Sequence, residues 1–398
     1  MTTQVSHLFE QLKAHYDEIV AIRRHLHKYP ELSFEETNTS RFIAEQLRNL
    51  GVAVRERVGG NGVLGFIKGK NPGKTIGLRA DFDALPIQEE NDHEYVSTNP
   101  GVMHACGHDG HTASLLGVAK VLQENRHLLH GNVVLIHQHA EEKPPGGAKF
   151  MIEDGALDGV DYVFGAHLAT ELPIGTVASR KGAMMASVDH FKIKIFGSGG
   201  HGAKPHETLD SITVGSRLVT HLQQIVSRRV SPIEPAVVTV GKFHAGNAFN
   251  IIADTAEIEG TVRALNKEVR EKIEQEIRAL LEGMKIADHV DYELDYLHGY
   301  PVLVNHADEV ELIERLVKEN MPEVVYETKD PELGAEDFAY FLEHRPGAYF
   351  KVGARNDDPA THFPHHHPKF NFDEKALLII GQVFLGIVEH YLMERGHE

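Results

Sequence analysis

Apolar positions over about the first 180 residues fall into short, nearly continuous runs separated by stretches of helical spacing. VLGFIKG and TIGLRADFD read as strands and HTASLLGVAKVLQEN as a helix. GNVVLIHQHAEE reads as an almost wholly apolar strand, AKFMIEDGAL as a helix and YVFGAHL as a further strand. Strands apolar on both faces, alternating with helices, predict a mostly parallel sheet covered on either side. The pattern returns after about residue 300 in DEVELIERLVKEN, DFAYFLEH and AYFKVGA. The most apolar stretch, Ala376 to Met393, is interrupted by Gln382, Glu389 and His390. It is too short and too polar for a membrane span and predicts a buried C-terminal helix.

Between these regions the period changes. In FKIKIFG, Phe191, Ile193 and Ile195 alternate with Lys192 and Lys194, the signature of a half-solvated antiparallel strand. A helix follows with Ile212, Leu218, Val219, Leu222, Ile225 and Val226 in one stripe. Then come VVTVGKF, NIIADTAEIEGTVRAL, the helix KEVREKIEQEIRALLEGM and HVDYELDYL. The order β-α-β-β-α-β is the ferredoxin-like unit. The predicted architecture is an α/β domain of residues 1–184 and 299–398, its mostly parallel sheet flanked by helices. An α+β ferredoxin-like domain of residues 185–298 is inserted into it.

Composition narrows the function classes. A net charge of −18 leaves no basic footprint for nucleic acid or an anionic membrane surface. One cysteine excludes an intrachain disulfide framework. The N-terminal segment is amphipathic and charged, with no apolar core like that of a signal peptide, so a cytoplasmic protein is expected. Histidine is abundant, 28 of 398 residues, and it is the commonest metal ligand.

The strongest local pattern is His104-Ala-Cys106-Gly-His108-Asp109-Gly-His111, in the turn between an expected strand and helix. Cysteine and histidine two apart on a turn can point at one metal, and thiolate with imidazole suits zinc and its transition-metal neighbours. As an isolated pair they equally fit a buried cysteine beside helix-capping residues. Glu141 and Glu142 close one predicted strand and His167 another. In open α/β sheets ligands gather at the carboxyl ends of strands, which would bring these residues to one rim. Asp81 and Asp83 in RADFDALP end a strand too, where carboxylates orient ligand histidines from behind or simply cap a helix; Asp109 joins them beside His108. The run His365-His366-His367 follows AYFKVGA, either as another member of the site or as an adventitious metal-binding surface. Gly197-Ser-Gly199-Gly200-His-Gly202 satisfies GxGxxG, but no helix opens on its last glycine and no acidic residue stands about twenty positions on, so it is not a dinucleotide loop. No G-x-S-x-G elbow is present.

RADFDALP, MHACGHDGHTA, HAEE with a following GGA, GAH, GSGGHGAKPHETLD, GAEDFA and HHP-KF occur in this order. Together they resemble the aminoacylase/carboxypeptidase superfamily of co-catalytic metallohydrolases. Within it they match the amidohydrolase branch that includes hippurate hydrolase, indole-acetyl-amino-acid hydrolase and N-acetyl-diaminopimelate deacetylase. The resemblance covers nearly the whole chain. It implies two divalent metal ions (manganese, zinc, nickel or cobalt) on Cys106, His108, Glu142, His167 and His366, with His365 the alternative in the last register. It makes Glu141 the general base, His201 a catalytic contact to the substrate carbonyl across a dimer interface, and Asn250 and Arg263 substrate contacts. The inserted domain would be both lid and dimerisation surface of a homodimer or higher homo-oligomer. Two departures stand out: His139 replaces the usual proline before AEE, and the proline after GAH is missing in GAHLAT. The implied activity is metal-dependent hydrolysis of N-acyl-L-amino acids. A metallo-dipeptidase or carboxypeptidase and, more remotely, a non-catalytic metal-binding protein of the same fold are the alternatives.

Overall fold

The structure, a computed structural model, describes residues 3–393, and the chain divides into two compact units. One unit runs through Gly182, resumes over Val304–Asp330 and continues from Asp337. The other comprises Ala183–Leu303 together with Pro331–Glu336, a return of the chain that no periodicity in the sequence marks.

The first unit is built on an eight-stranded sheet in the order Ala53–Val58, Gly62–Lys68, His130–Gln138, Asn71–Asp81, Tyr162–Pro173, Gly347–Arg355, Thr176–Ser179, Val325–Thr328. The pairings that flank Asn71–Asp81 and Tyr162–Pro173 are parallel. The first two strands and the Gly347–Arg355/Thr176–Ser179 pair run antiparallel, a feature the expected mostly parallel sheet does not specify. Helices bury both faces. His108–Glu124 is inaccessible around almost its whole circumference, as expected of a helix with apolar or small residues on every side. Ala376–Leu392 is the buried C-terminal helix that its hydropathy predicts. Leu115, Val118, Leu135, Phe350, Ile380 and Phe384 belong to one continuous core.

Two strands differ from their sequence reading. The segment GNVVLIHQHAEE leaves the ladder at Gln138, so Glu141 and Glu142 stand in the turn beyond it. The strand holding His167 continues to Pro173, so His167 does not end it. Its pairing with Asn71–Asp81 nevertheless stops at Gly165, while pairing on the other side carries on, with His167 opposite Lys351.

The second unit carries a four-stranded antiparallel sheet in the order Ala236–Ala245, Thr255–Ala264, Ser187–Phe196, Asp291–His298. Helices Ser211–Gln224 and Lys267–Asp288 cover one face, giving the ferredoxin-like β-α-β-β-α-β unit. Phe191, Ile193 and Ile195 are fully buried under them, whereas Lys192 and Lys194 face Glu259 and Glu257 on the open side. Asp210 and Asn266 cap the two helices by accepting backbone N–H groups of their first turns. The expected stripe needs one correction. Ile212 is exposed, and Val214 takes its place in the core, because Val214, Leu218 and Leu222 recur every four residues on one face, while Ile212, two residues before Val214, points about 200° away from it.

Candidate metal centre

Strand Asn71–Asp81 delivers Asp81 at its end and Asp83 two residues on; the neighbouring strand ends at Gln138 and turns through His139–Glu142. Cys106 lies just before helix His108–Glu124, and Gly107, at φ 91°, makes the tight entry that brings Cys106 and His108 together. A Cβ on Gly107 would also press to 3.2 Å from Leu168 Cδ1. His365 and His366 arrive on the loop after Gly347–Arg355, where the His366 N–H binds the Ala105 carbonyl at 2.8 Å.

Hydrogen bonds hold one ring nitrogen of His108 and of His167 and leave Nε2 of each on the side of Cys106 or Glu142. His108 Nδ1 has only oxygens as partners, Asp83 Oδ1 at 3.0 Å and the Asp83 carbonyl at 3.1 Å, so it carries the hydrogen. Nε2 is left without a hydrogen-bond partner. His167 Nδ1 donates to the Leu168 carbonyl at 2.6 Å, and its Nε2 lies 3.5 Å from Cys106 Sγ. His111 Nε2 accepts the Leu168 N–H at 2.9 Å, so its Nδ1 donates to Asp81 Oδ1 at 2.6 Å. Fixing one imidazole nitrogen on an oxygen to free the other is how proteins orient metal-ligating histidines. His366 Nε2 stands 3.4 Å from Glu142 Oε1, itself without a hydrogen-bond partner. His365 stacks on His167 with ring centroids 5.0 Å apart and places Nδ1 3.9 Å from Cys106 Sγ.

The donor groups at this centre, each with its ligand atoms within 4.8 Å of one another, include Cys106–His108–His167 and Cys106–Glu142–His366, with Cys106 common to both, and also His108–Glu141–Glu142 and Asp81–His108–His111. The electrostatics favour cations there. Asp81, Asp83, Glu141 and Glu142 are gathered around these groups, and the Arg79 guanidinium is shared between Asp81 at 2.6 Å and Asp337 at 2.9 Å. Burial disfavours a charged His108, yet Asp81 and Asp83 push its pKa up to about 10. Burial and the charges of Glu142 and Glu141 push the Cys106 thiol well up. Both shifts mark a place that holds protons until a stronger positive charge displaces them, as metals do at thiol and imidazole sites. Soft sulfur, imidazole and carboxylate donors with unpartnered buried atoms therefore fit a pair of divalent ions.

Asp83 stands behind His108 and holds its Nδ1, whereas Asp81 holds His111 and lies 3.7 Å from His108 Nε2, on the ligand side of that ring; no hydrogen bond joins either histidine to Asp109. Its Oδ2 accepts from Arg23 Nε and His27 Nδ1, each at 2.9 Å, in a separate buried cluster where His27 Nε2 reaches Glu89 Oε1 at 3.1 Å. His27, Glu89 and His93 also satisfy a metal-like spacing. That cluster closes its own charge, however, with Arg23 and His27 set against Asp109 and Glu89.

His201, Asn250 and Arg263 belong to the second unit. His201 is exposed in a two-residue strand paired with Ile251–Ile252, and its Nδ1 accepts the Ala203 N–H at 3.0 Å, leaving Nε2–H as the free donor. Asn250, also exposed, adjoins it through its carbonyl, which accepts the Gly202 N–H at 2.9 Å. Arg263 sits on Thr255–Ala264, opposite Val188 and Val237, with Nη1 3.4 Å from the Leu333 carbonyl; partial burial lowers its pKa.

Sequence reasoning passed over several supports of the rim. Asp337, in the GAEDFA motif, accepts from Arg79, from Gln138 Nε2 at 2.8 Å and from the Ala148 N–H at 3.1 Å. Ser33 donates to Asp83 at 2.7 Å, and Glu36 binds the turn that carries the two glutamates.

A model of Peptidase family M20/M25/M40 matches residues 77–390. The chain is 50% identical over 393 residues to "Putative amidohydrolase YhaA" of Bacillus subtilis, spanning 98% of this chain and 99% of that protein. It is 43% identical over 380 residues to "Thermostable carboxypeptidase 1" of Saccharolobus solfataricus, spanning 95% and 94%. It is also 43% identical over 363 residues to "N-acetyl-L-cysteine deacetylase" of Bacillus subtilis, spanning 91% and 85%. Among solved structures, a "putative aminohydrolase" from methicillin-resistant Staphylococcus aureus superposes with a TM-score of 0.94 at 45% identity, covering 98% of this chain and 100% of that one. The Bacillus subtilis YXEP protein, described as "a Dinuclear Metal Binding Peptidase from M20 Family", does so at 0.82 with 34% identity, covering 94% and 98%. The chain thus belongs to Peptidase family M20/M25/M40, and it is a metal-dependent amidohydrolase of that family.

Proposed function

We propose that this enzyme hydrolyses the amide bond of N-acyl-L-amino acids, releasing a carboxylic acid and the free amino acid. One arrangement carries the reading: a single thiol common to two donor groups, with Glu141 adjoining Glu142 on the same turn. Cys106, His108 and His167 would hold one divalent ion, and Cys106, Glu142 and His366 the other. Such a pair supplies Lewis acidity and lowers the pKa of bound water towards about 7. The thiolate and imidazoles suit zinc, nickel or cobalt, and the carboxylate admits manganese.

Glu141 is the base of the proposal. It takes the proton of the attacking water and passes it to the amine nitrogen, a poor leaving group until protonated. His201 offers its Nε2–H to the carbonyl oxygen as negative charge develops there. The Arg263 guanidinium forks onto the α-carboxylate in a geometry that lysine cannot match, and Asn250 is a further substrate contact. The inserted domain acts as the lid and as the contact surface of a homodimer. A lone cysteine used as a ligand suits a reducing compartment, in keeping with the cytoplasmic location that belongs to this proposal.

A carboxypeptidase reading is kept alive by the Saccharolobus solfataricus relative, since peptide and acyl-amino-acid bonds are chemically alike. Amine release from N-acetyl, N-benzoyl and longer N-acyl amino acids, run beside dipeptides on protein stripped and refilled with each metal, separates the two. Metal-dependent preference for the acyl amino acids is expected. Faster dipeptide cleavage moves the assignment to peptidase, and no turnover in protein holding two metal equivalents refutes catalysis.

A further inference from the structure

The turn after strand His130–Gln138 presents Glu141 and Glu142 through a backbone that is unusual at one point: Ala140 adopts φ 52°, in the left-handed region that L-residues avoid. Such a conformation persists only where its surroundings hold it. The backbone N–H groups of the residues before and after Glu141 each end on a carboxylate carried by a remote segment. The Glu142 N–H donates to Asp83 Oδ2 at 2.9 Å, and the Ala140 N–H donates to Glu36 Oε1 at 2.8 Å.

Asp83 has other work, since it also holds His108 and Ser33. Glu36 does not bind any ligand histidine among its hydrogen bonds. It stands at the start of helix Thr37–Asn49, fully buried, with Oε2 accepting from Asn61 Nδ2 at 3.0 Å; that same amide donates to the Phe34 carbonyl at 3.2 Å. A carboxylate of this length, tethered by Asn61 and aimed at one backbone amide, has no packing role that an apolar side chain would not fill better. The turn is closed from the other side by the Gly147 N–H on the Ala140 carbonyl at 3.0 Å, where a Cβ on Gly147 would meet the His139 carbonyl oxygen at 1.9 Å.

The geometry points to Glu36 as a positioning residue of the active site: with Asp83 it clamps the backbone N–H groups of Ala140 and Glu142, the residues on either side of Glu141, and so aims the base. This inference rests on the proposed role of Glu141. The side chain acts as an acceptor at a fixed reach, which makes length matter more than charge. Glu36→Gln keeps the oxygen for the Ala140 N–H and disturbs only the Asn61 side. Glu36→Asp keeps the charge and falls a methylene short. A displacement of about 1 Å at a reacting group can cost about 100-fold in rate. On that scale kcat of Glu36→Asp should drop about 30- to 100-fold, with KM within about threefold and two metal equivalents retained, whereas Glu36→Gln should lose about threefold.

Wild-type kcat in Glu36→Asp overturns the inference, and so does a loss in Glu36→Gln as deep as in Glu36→Asp, since charge and not reach would then be what matters. Glu141→Gln is assayed alongside. If it turns over normally, the role of Glu141 itself is wrong; if it is inactive while Glu36→Asp is not, only the clamp fails.

Discussion

Asp83→Asn replaces a carboxylate by a nearly isosteric group with one acceptor oxygen fewer, and three donors compete for what remains. His108 Nδ1 reaches Oδ1 at 3.0 Å, while Ser33 Oγ at 2.7 Å and the Glu142 N–H at 2.9 Å share Oδ2. If the asparagine oxygen stays with Ser33 and Glu142, its NH2 group confronts the His108 Nδ1 hydrogen. The Nδ1 hydrogen then rests on the Asp83 backbone carbonyl alone, at 3.1 Å, and the tautomer with the hydrogen on Nε2, the atom a metal needs, competes with it. If the amide is reversed, the Glu142 turn loses its anchor instead. Hydrogen bonds to charged groups contribute about 1.5–3 kcal/mol each. Losing a partner of this kind typically weakens metal binding about 10- to 100-fold, which is about 1.4–2.7 kcal/mol. Competition against a chromophoric chelator at fixed neutral pH reads this directly, one equivalent being expected to weaken while the fold, followed by far-UV circular dichroism, is kept. Excess metal should recover part of the lost turnover. Two equivalents bound as tightly as in the wild type would refute the claim that Asp83 sets the His108 tautomer.

Other outcomes follow from the same geometry. Glu141→Ala should retain both metals and lose about 10²–10⁴ in kcat, the range for general acid–base groups, as measured by amine release on metal-loaded protein. Cys106→Ala should bind neither metal well, because both donor groups lose their common member. Burial and the neighbouring glutamates raise the Cys106 pKa, so binding must expel a proton and should weaken as pH falls; isothermal titration in buffers of different ionisation enthalpy counts that proton. Glu89 is raised by burial but pulled down further, to about 2, by His27, the Ser97 amide and Asn91. Its folded value lies below its ordinary one, so its contribution is complete above about pH 4.5 and is lost as pH falls towards 2. The urea midpoint of Glu89→Gln should therefore change less than that of the wild type between pH 6 and pH 3, a loss of equal size being the contrary result.

What the sequence discloses of this molecule follows from where each signal is encoded. The half-solvated strand Ser187–Phe196 is legible because alternation over a few residues decides which face each side chain takes, as Phe191 and Lys192 show. Cys106, His108, Glu142, His167 and His366 are legible because they sit in short motifs at chain turns, and the structure draws them together. The direction of Asp109 was not. Successive helical residues point about 100° apart, so the side chain after His108 swings toward Arg23 and His27, while His111, three residues on, returns to the His108 face. Glu36 and Asn61 reach the site from far along the chain, and Asp337 lies nearly 200 residues beyond Gln138; no local period encodes such pairings. The point at which a strand leaves its ladder is likewise set by its neighbours, which is why Glu141 and Glu142 lie past the strand that their apolar run predicts.

The strand order of the large sheet bears on how the chain leaves the ribosome. Gly347–Arg355 lies between Tyr162–Pro173 and Thr176–Ser179, so the sheet has a vacant slot until synthesis has passed residue 355. All four strands of the inserted sheet, by contrast, lie within the continuous stretch Ser187–His298. Domains generally fold as units while the chain is being made. The smaller domain can therefore close first, while the larger one waits with a parallel edge exposed and its histidine-bearing strand half paired. Unpaired edges of this kind invite association with other chains. Slowing translation over residues 300–350 should consequently tax the yield of folded enzyme more than the same delay placed after residue 355.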